Sequence, residues 1–80
     1  MFHLYILKSI KGTYYIGITE NVKKRFAQHN AGKVHSTKSQ RPWLLIHQEN
    51  FATRSEAAIR ERHLKSLKKR VAIEKEMKHF

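Results

Sequence analysis

The stretch "YILKSIKGTYYIG", residues 5–17, decides the fold, because its turn sets which side chains share a face. Apolar and aromatic residues flank a polar, glycine-containing break. They read as a β-hairpin with strands over residues 2–8 and 14–18 and "SIKGT" between them. A two-residue Lys11-Gly12 turn would pair Ile10 with Thr13 and put Tyr5 and Tyr15 on opposite faces. A three-residue loop of Ile10, Lys11 and Gly12 pairs Ser9 with Thr13, Leu7 with Tyr15 and Tyr5 with Gly17, so that both rings share a face. Gly12 suits the last position of that loop, where φ is positive, and suits the shorter turn nearly as well. In the same-face register, Gly17 opposite Tyr5 predicts an open patch above the backbone with room for a substrate. The alternative for each tyrosine is ordinary cross-strand packing.

Downstream the pattern turns helical from Asn21 to about Ala31, with Asn21 or Thr19 as N-cap and Gly32 as the stop. At about 100° per residue, Val22 and Phe26 form the apolar stripe. Arg25 and His29 fall on its edge, four residues apart and therefore adjacent. Lys23, Lys24 and Gln28 point away into solvent. Arg can grip a phosphate with two parallel hydrogen bonds, and a neutral His nearby can accept a proton or polarise a phenol. The plainer alternative is an Arg bonded to loop carbonyls beside a surface His.

"KVHSTKSQRP" (33–42) reads as a polar, basic loop and "WLLIHQENF" (43–51) as a third strand, with Trp43 assigned to the core. Thr53 and Glu56 fit a capping box. The box opens a helical region from about Arg54 to Lys78 that is expected to break near "SLKKR" (66–70). In its first half Ala57, Glu61 and Leu64 recur at i, i+4 and i+7. A carboxylate on that stripe is costly unless a cation pairs with it. Lys65, four residues on, is one such partner; a divalent metal is another. The order β-β-α-β-α-α predicts an α+β fold, a small three-stranded antiparallel sheet flanked by helices.

Eighty residues make one domain, 1–80. There is no cysteine, which excludes disulfides and thiolate zinc sites. The apolar start is short and broken by His3 and Lys8, and no run approaches the roughly 20 residues of a membrane span. A cytoplasmic location without membrane association is expected. Seventeen Lys and Arg against six acids, all Glu, give a net charge of +11. A field of that size favours polyanions, nucleic acid above all. His35, His47, His63 and His79 form no spaced ligand set.

In order along the chain, "HLYIL" (3–7), "YYIG" (14–17), "NVKKRFAQHNAGK" (21–33), "TKSQRPW" (37–43) and "SEAAIRERHLK" (55–65) resemble the GIY-YIG nuclease superfamily. The resemblance is nearest to its small stand-alone bacterial, YhbQ-like branch, a relation of the N-terminal nuclease domain of UvrC. It implies a GIY-YIG fold and metal-dependent hydrolysis of phosphodiester bonds in DNA that is branched, nicked or single-stranded. It assigns catalytic positions to Tyr5, Tyr15, Arg25, His29 and Glu61, with Glu61 as the ligand of Mg²⁺ or Mn²⁺. By this resemblance a tyrosine orients or deprotonates the attacking water, Arg25 stabilises the phosphate charge and His29 assists the tyrosine. With a reference pKa of about 10, Tyr5 would serve as base only where Arg25 and a metal favour its ionised form. The first motif keeps its tyrosine and not its glycine, and no asparagine follows Asn50. Lys33, Lys38 and Arg41 in the loop, and Arg62, Lys65, Lys68, Lys69 and Arg70 in the helical region, are the expected phosphate contacts, with a protein partner as a source of specificity. The alternative function is a nucleic-acid-binding or assembly module that keeps the fold with little or no catalysis.

Overall fold

A computed structural model describes residues 1–78. Strand β1 (Phe2–Ser9) lies between β2 (Tyr14–Thr19) and β3 (Trp43–Phe51) in one antiparallel sheet of order β2-β1-β3. As the central strand it is covered on both faces. Leu4 to Leu7 are therefore all buried, and residues 2–8 alternate only imperfectly in sequence.

The hairpin takes the three-residue loop. Leu7 pairs with Tyr15 and Tyr5 with Gly17. The Ser9 N–H donates to the Thr13 carbonyl at 2.9 Å and the Gly12 N–H to the Ser9 carbonyl at 2.9 Å, with Gly12 at φ +87°. Tyr5 and Tyr15 thus share a face, their ring centroids 6.2 Å apart.

Helix α1 (Val22–Asn30) covers that face, where Tyr5, Leu7, Val22 and Trp43 pack with Tyr15 and Phe26. The Asn21 side chain caps it by accepting from the Lys24 N–H at 3.0 Å. Its end is a Schellman motif: Gly32, at φ +77°, donates to the His29 carbonyl and Lys33 to that of Gln28. The segment expected as a loop forms instead a 3-10 helix, His35–Gln40, stabilised by burial of Thr37 and a bond from Trp43 Nε1 to the Thr37 carbonyl at 2.9 Å.

The opposite face packs Leu4, Ile6 and Ile16 against Leu64 of α2 (Arg54–Ser66) and Ile73 of α3 (Arg70–Lys78). The capping box of Thr53 and Glu56 is present. The break between α2 and α3 falls where expected, with Lys68 at φ +61°. On this face the carboxylate of Glu49, fully buried, accepts from Arg60 at 2.9 Å and lies 2.7 Å from His47 Nε2. Arg60 also reaches Glu76 on α3 at 2.7 Å. Nothing in the sequence pattern announced this network, because its members lie on three elements.

Candidate active site

Three side chains form a buried line beneath the α1 face of the sheet. Tyr5 Oη is 2.9 Å from His29 Nε2, and His29 Nδ1 is 2.8 Å from Thr37 Oγ1. Tyr5 and Thr37 are each 1% exposed and His29 is 0% exposed. Helix α1 places His29 there because Val22 turns the same side of the helix toward the sheet. The hydrogens follow from the network. The Thr37 hydroxyl donates to the Val34 carbonyl at 3.4 Å, which leaves its lone pairs for the Nδ1–H of His29. Nε2 then accepts from the Tyr5 hydroxyl, and the imidazole is neutral. Burial lowers the His29 pKa from its ordinary value, and the charge of Arg25 lowers it further.

The same burial acts on Tyr5. It pushes the phenol from 10.0 up to about 12; Arg25 opposes the rise without reversing it, and Tyr15 adds to it. Arg25 alone therefore does not favour the ionised form of the buried Tyr5 phenol. The open patch expected above Gly17 is likewise absent. A Cβ placed on Gly17 would lie 2.6 Å from Tyr5 Oη, so the tyrosine ring itself fills the space. Tyr15 is only half-buried, with its ring centroid 4.8 Å from that of His29, and is the tyrosine nearer to solvent.

Arg25 is half-buried, and its Nη1 donates to Gln28 at 3.2 Å. It lines a cleft of about 430 Å³ that also has Lys24 and Arg54 in its walls. Lys24, expected to be merely solvated, is exposed but borders this cleft. Arg25 comes from the helix on one face of the sheet and Arg54 from the helix on the other. The cleft lies at the C-terminal end of β2, where Ile18 and Thr19 also line it.

Glu61 stands between Ala57 and Leu64 on α2 as expected, yet it is not sunk in the core. Its side chain is 24% exposed and pairs with Lys65 Nζ at 3.1 Å, the local partner read from the sequence. Because α2 covers the opposite face from α1, Glu61 and the Tyr5–His29 pair come from different sides of the sheet. No group of three or more His, Asp or Glu gathers among the described residues; His79 lies outside them.

The eight expected phosphate contacts, Lys33, Lys38, Arg41, Arg62, Lys65, Lys68, Lys69 and Arg70, are all exposed. Arg70 is engaged at the hairpin, donating to the Gly12 carbonyl at 3.4 Å and lying over the Tyr14 ring. Thr37 escaped the residue-level reading. Its signal is a small hydroxyl residue, inside a basic polar stretch, that turns out to be buried. Among the described residues no helix is long and apolar enough to cross a membrane.

Residues 1–76 match the GIY-YIG catalytic domain. A UPF0213 protein of Halobacterium salinarum is 43% identical over 68 residues, spanning 84% of this chain and 88% of that protein. Another, of Staphylococcus haemolyticus, is 45% identical over 65 residues, spanning 80% and 79%. The solution NMR structure of a UPF0213 protein from Bacillus halodurans superposes with a TM-score of 0.57 at 31% identity, covering 90% of this chain and 79% of its own. The names of these relatives carry no reaction, whereas the domain that this chain matches is that of a nuclease superfamily. Sequence, domain and fold thus agree, and the chain belongs to the GIY-YIG family.

Proposed function

We propose that this protein is a metal-dependent endonuclease that hydrolyses phosphodiester bonds in DNA. The observation that supports it most is the buried Tyr5–His29–Thr37 line lying directly behind half-exposed Tyr15, with Arg25 beside it. Such a line costs conformational freedom and buries polar groups, and a simple packing layer has no need of it. In this reading Tyr15 contacts and orients the attacking water. Tyr5 keeps its proton and donates to neutral His29, which fixes the aromatic wall behind Tyr15. Arg25 takes two oxygens of the scissile phosphate with its fork and offsets the charge that grows there.

Glu61 fits a divalent ion that needs few protein ligands: a partly exposed carboxylate whose partner is an exposed lysine. Mg²⁺ commonly takes about one or two carboxylates and keeps water and phosphate oxygens for its other positions. When bound, Mg²⁺ or Mn²⁺ would withdraw charge from the phosphate and ease departure of the leaving oxygen. The net charge of +11 supports binding through phosphates, with little sequence preference and steep salt dependence. Choice of branched, nicked or single-stranded target falls to DNA shape or to a protein partner, with the cytoplasm as the expected location.

The test is cleavage of single-stranded, nicked and branched DNA with Mg²⁺ or Mn²⁺ at low salt. The expected result is metal-dependent cleavage that falls at least about 10²-fold in Glu61→Ala and Tyr15→Phe. Salt-sensitive binding without cleavage, unchanged in Glu61→Ala, supports instead the binding module, in which Glu61 does no more than pair with Lys65.

A further inference from the structure

The 3-10 helix has two sides. Thr37 faces inward to His29, while its chain neighbours Lys38 and Ser39, with His35 and Arg41, line an open cleft of about 790 Å³ at the end of α1. The frame of this cleft is rigid. Asn30 bonds the Trp43 backbone twice, donating to its carbonyl at 3.0 Å and accepting from its N–H at 2.7 Å. Trp43, 2% exposed, in turn holds the Thr37 carbonyl.

Within that frame Arg41 is already oriented. Its Nε donates to the Lys38 carbonyl at 2.9 Å. Its guanidinium lies against Gly32, where a Cβ would meet Nη1 at 2.6 Å and Cζ at 2.9 Å. The Nη groups have no hydrogen-bond partner among the described residues. An arginine held through Nε, with Nη donors still unpaired among the described residues, is suited to a phosphate, because little rotamer freedom is lost when the bidentate bonds form. The lining residues include no carboxylate, unlike the Arg25 cleft, where Glu20 stands in the wall.

We propose that the Arg41 cleft is a second phosphate-binding site, which takes the backbone of a nucleic acid strand at a phosphate other than the one held by Arg25. It rests on the nucleic-acid reading above but not on catalysis. The strand class it fits is single-stranded or locally opened, since the cleft is concave and bounded by a helix end rather than a flat face.

The experiment is binding of a short oligothymidylate without metal, followed by amide NMR shifts and by affinity at several salt concentrations. In the wild type the shifts are expected at residues 32, 38, 39 and 41. Arg41→Gln should lower the log–log salt slope by about 0.7, the value for one single-strand phosphate. Arg41→Lys keeps the charge but loses the fork and the Nε bond, and should weaken binding about threefold to tenfold. Lys75→Gln, the same charge change on exposed α3, should leave the affinity near that of the wild type. Equal losses in Lys75→Gln and Arg41→Gln, wild-type affinity in Arg41→Lys, or shifts confined to the Arg25 cleft would each overturn the site. Absence of cleavage with the Arg41 effects intact removes the nuclease reading and leaves this site standing.

Discussion

At the scale of single residues, Thr37 controls more than its size suggests. It is the acceptor that lets His29 carry its proton on Nδ1, away from Tyr5. Thr37→Ala leaves that buried N–H without a partner, at a cost of about 1–3 kcal/mol. It should also raise the share of the Nε2–H tautomer, read by ¹⁵N shifts of the imidazole, whereas Thr37→Ser should restore both stability and tautomer. His29 itself makes stability depend on pH. Its folded pKa lies below the unfolded value of 6.5, so the unfolded chain binds the proton more readily. The stabilisation is complete above about pH 6.5 and is lost as the pH falls from there through the lowered folded pKa. Thermal midpoints of the wild type should therefore drop through this window. Those of His29→Gln, lower overall, should lose that step.

At the scale of elements, the joint between α2 and α3 is held at a cost. Lys68 sits at φ +61°, a conformation that side chains with a Cβ disfavour. Lys68→Gly should stabilise the fold by about 0.5–1 kcal/mol, seen as a rise of a few degrees in the thermal midpoint. If Lys68 also touches phosphate, the same variant will bind nucleic acid slightly less tightly while melting higher. Strand β3 shows a second element-level feature. Leu7 pairs with Leu45 and Ile6 with His47, so Ile46 is the extra residue of a bulge. The bulge sets the strand beyond it so that His47 and Glu49 both face α2 and Arg60.

For the whole molecule, two opposite faces of one sheet have divided the work. The α1 face holds Tyr5, Tyr15 and His29; the α2–α3 face holds a larger apolar core, Tyr14 and the Glu49–Arg60–Glu76 network. Arg60 ties β3 to α3 through that network. Arg60→Met would leave the fully buried Glu49 with His47 as its remaining ionic contact among those described. Removing one partner of a buried pair costs about 3–5 kcal/mol. Because the Arg60 side chain is 17% exposed, a loss of about 2–3 kcal/mol is expected in chemical denaturation. Side chains from the helices of both faces come together at the end of β2, where Arg25 and Arg54 share a cleft.

The elements were legible in the sequence because each is written in local terms: the three-residue loop with Gly12 last, the Asn21 cap, the Gly32 stop, the capping box at Thr53, the break near Lys68. The residues of the candidate site were legible too, as side chains whose chemistry matched a family in order. Their relations were not. The protonation of Tyr5 depends on how deeply the sheet and α1 bury it, which no run of residues states. Neither did the sequence show that the Tyr5 ring closes the space over Gly17, or that Thr37 sits beneath His29. Hydrophobic period and turn chemistry act over a few residues and so fix strands, helices and register. Desolvation and hydrogen-bond partnership act through space between residues far apart in the chain, and only the tertiary packing decides them.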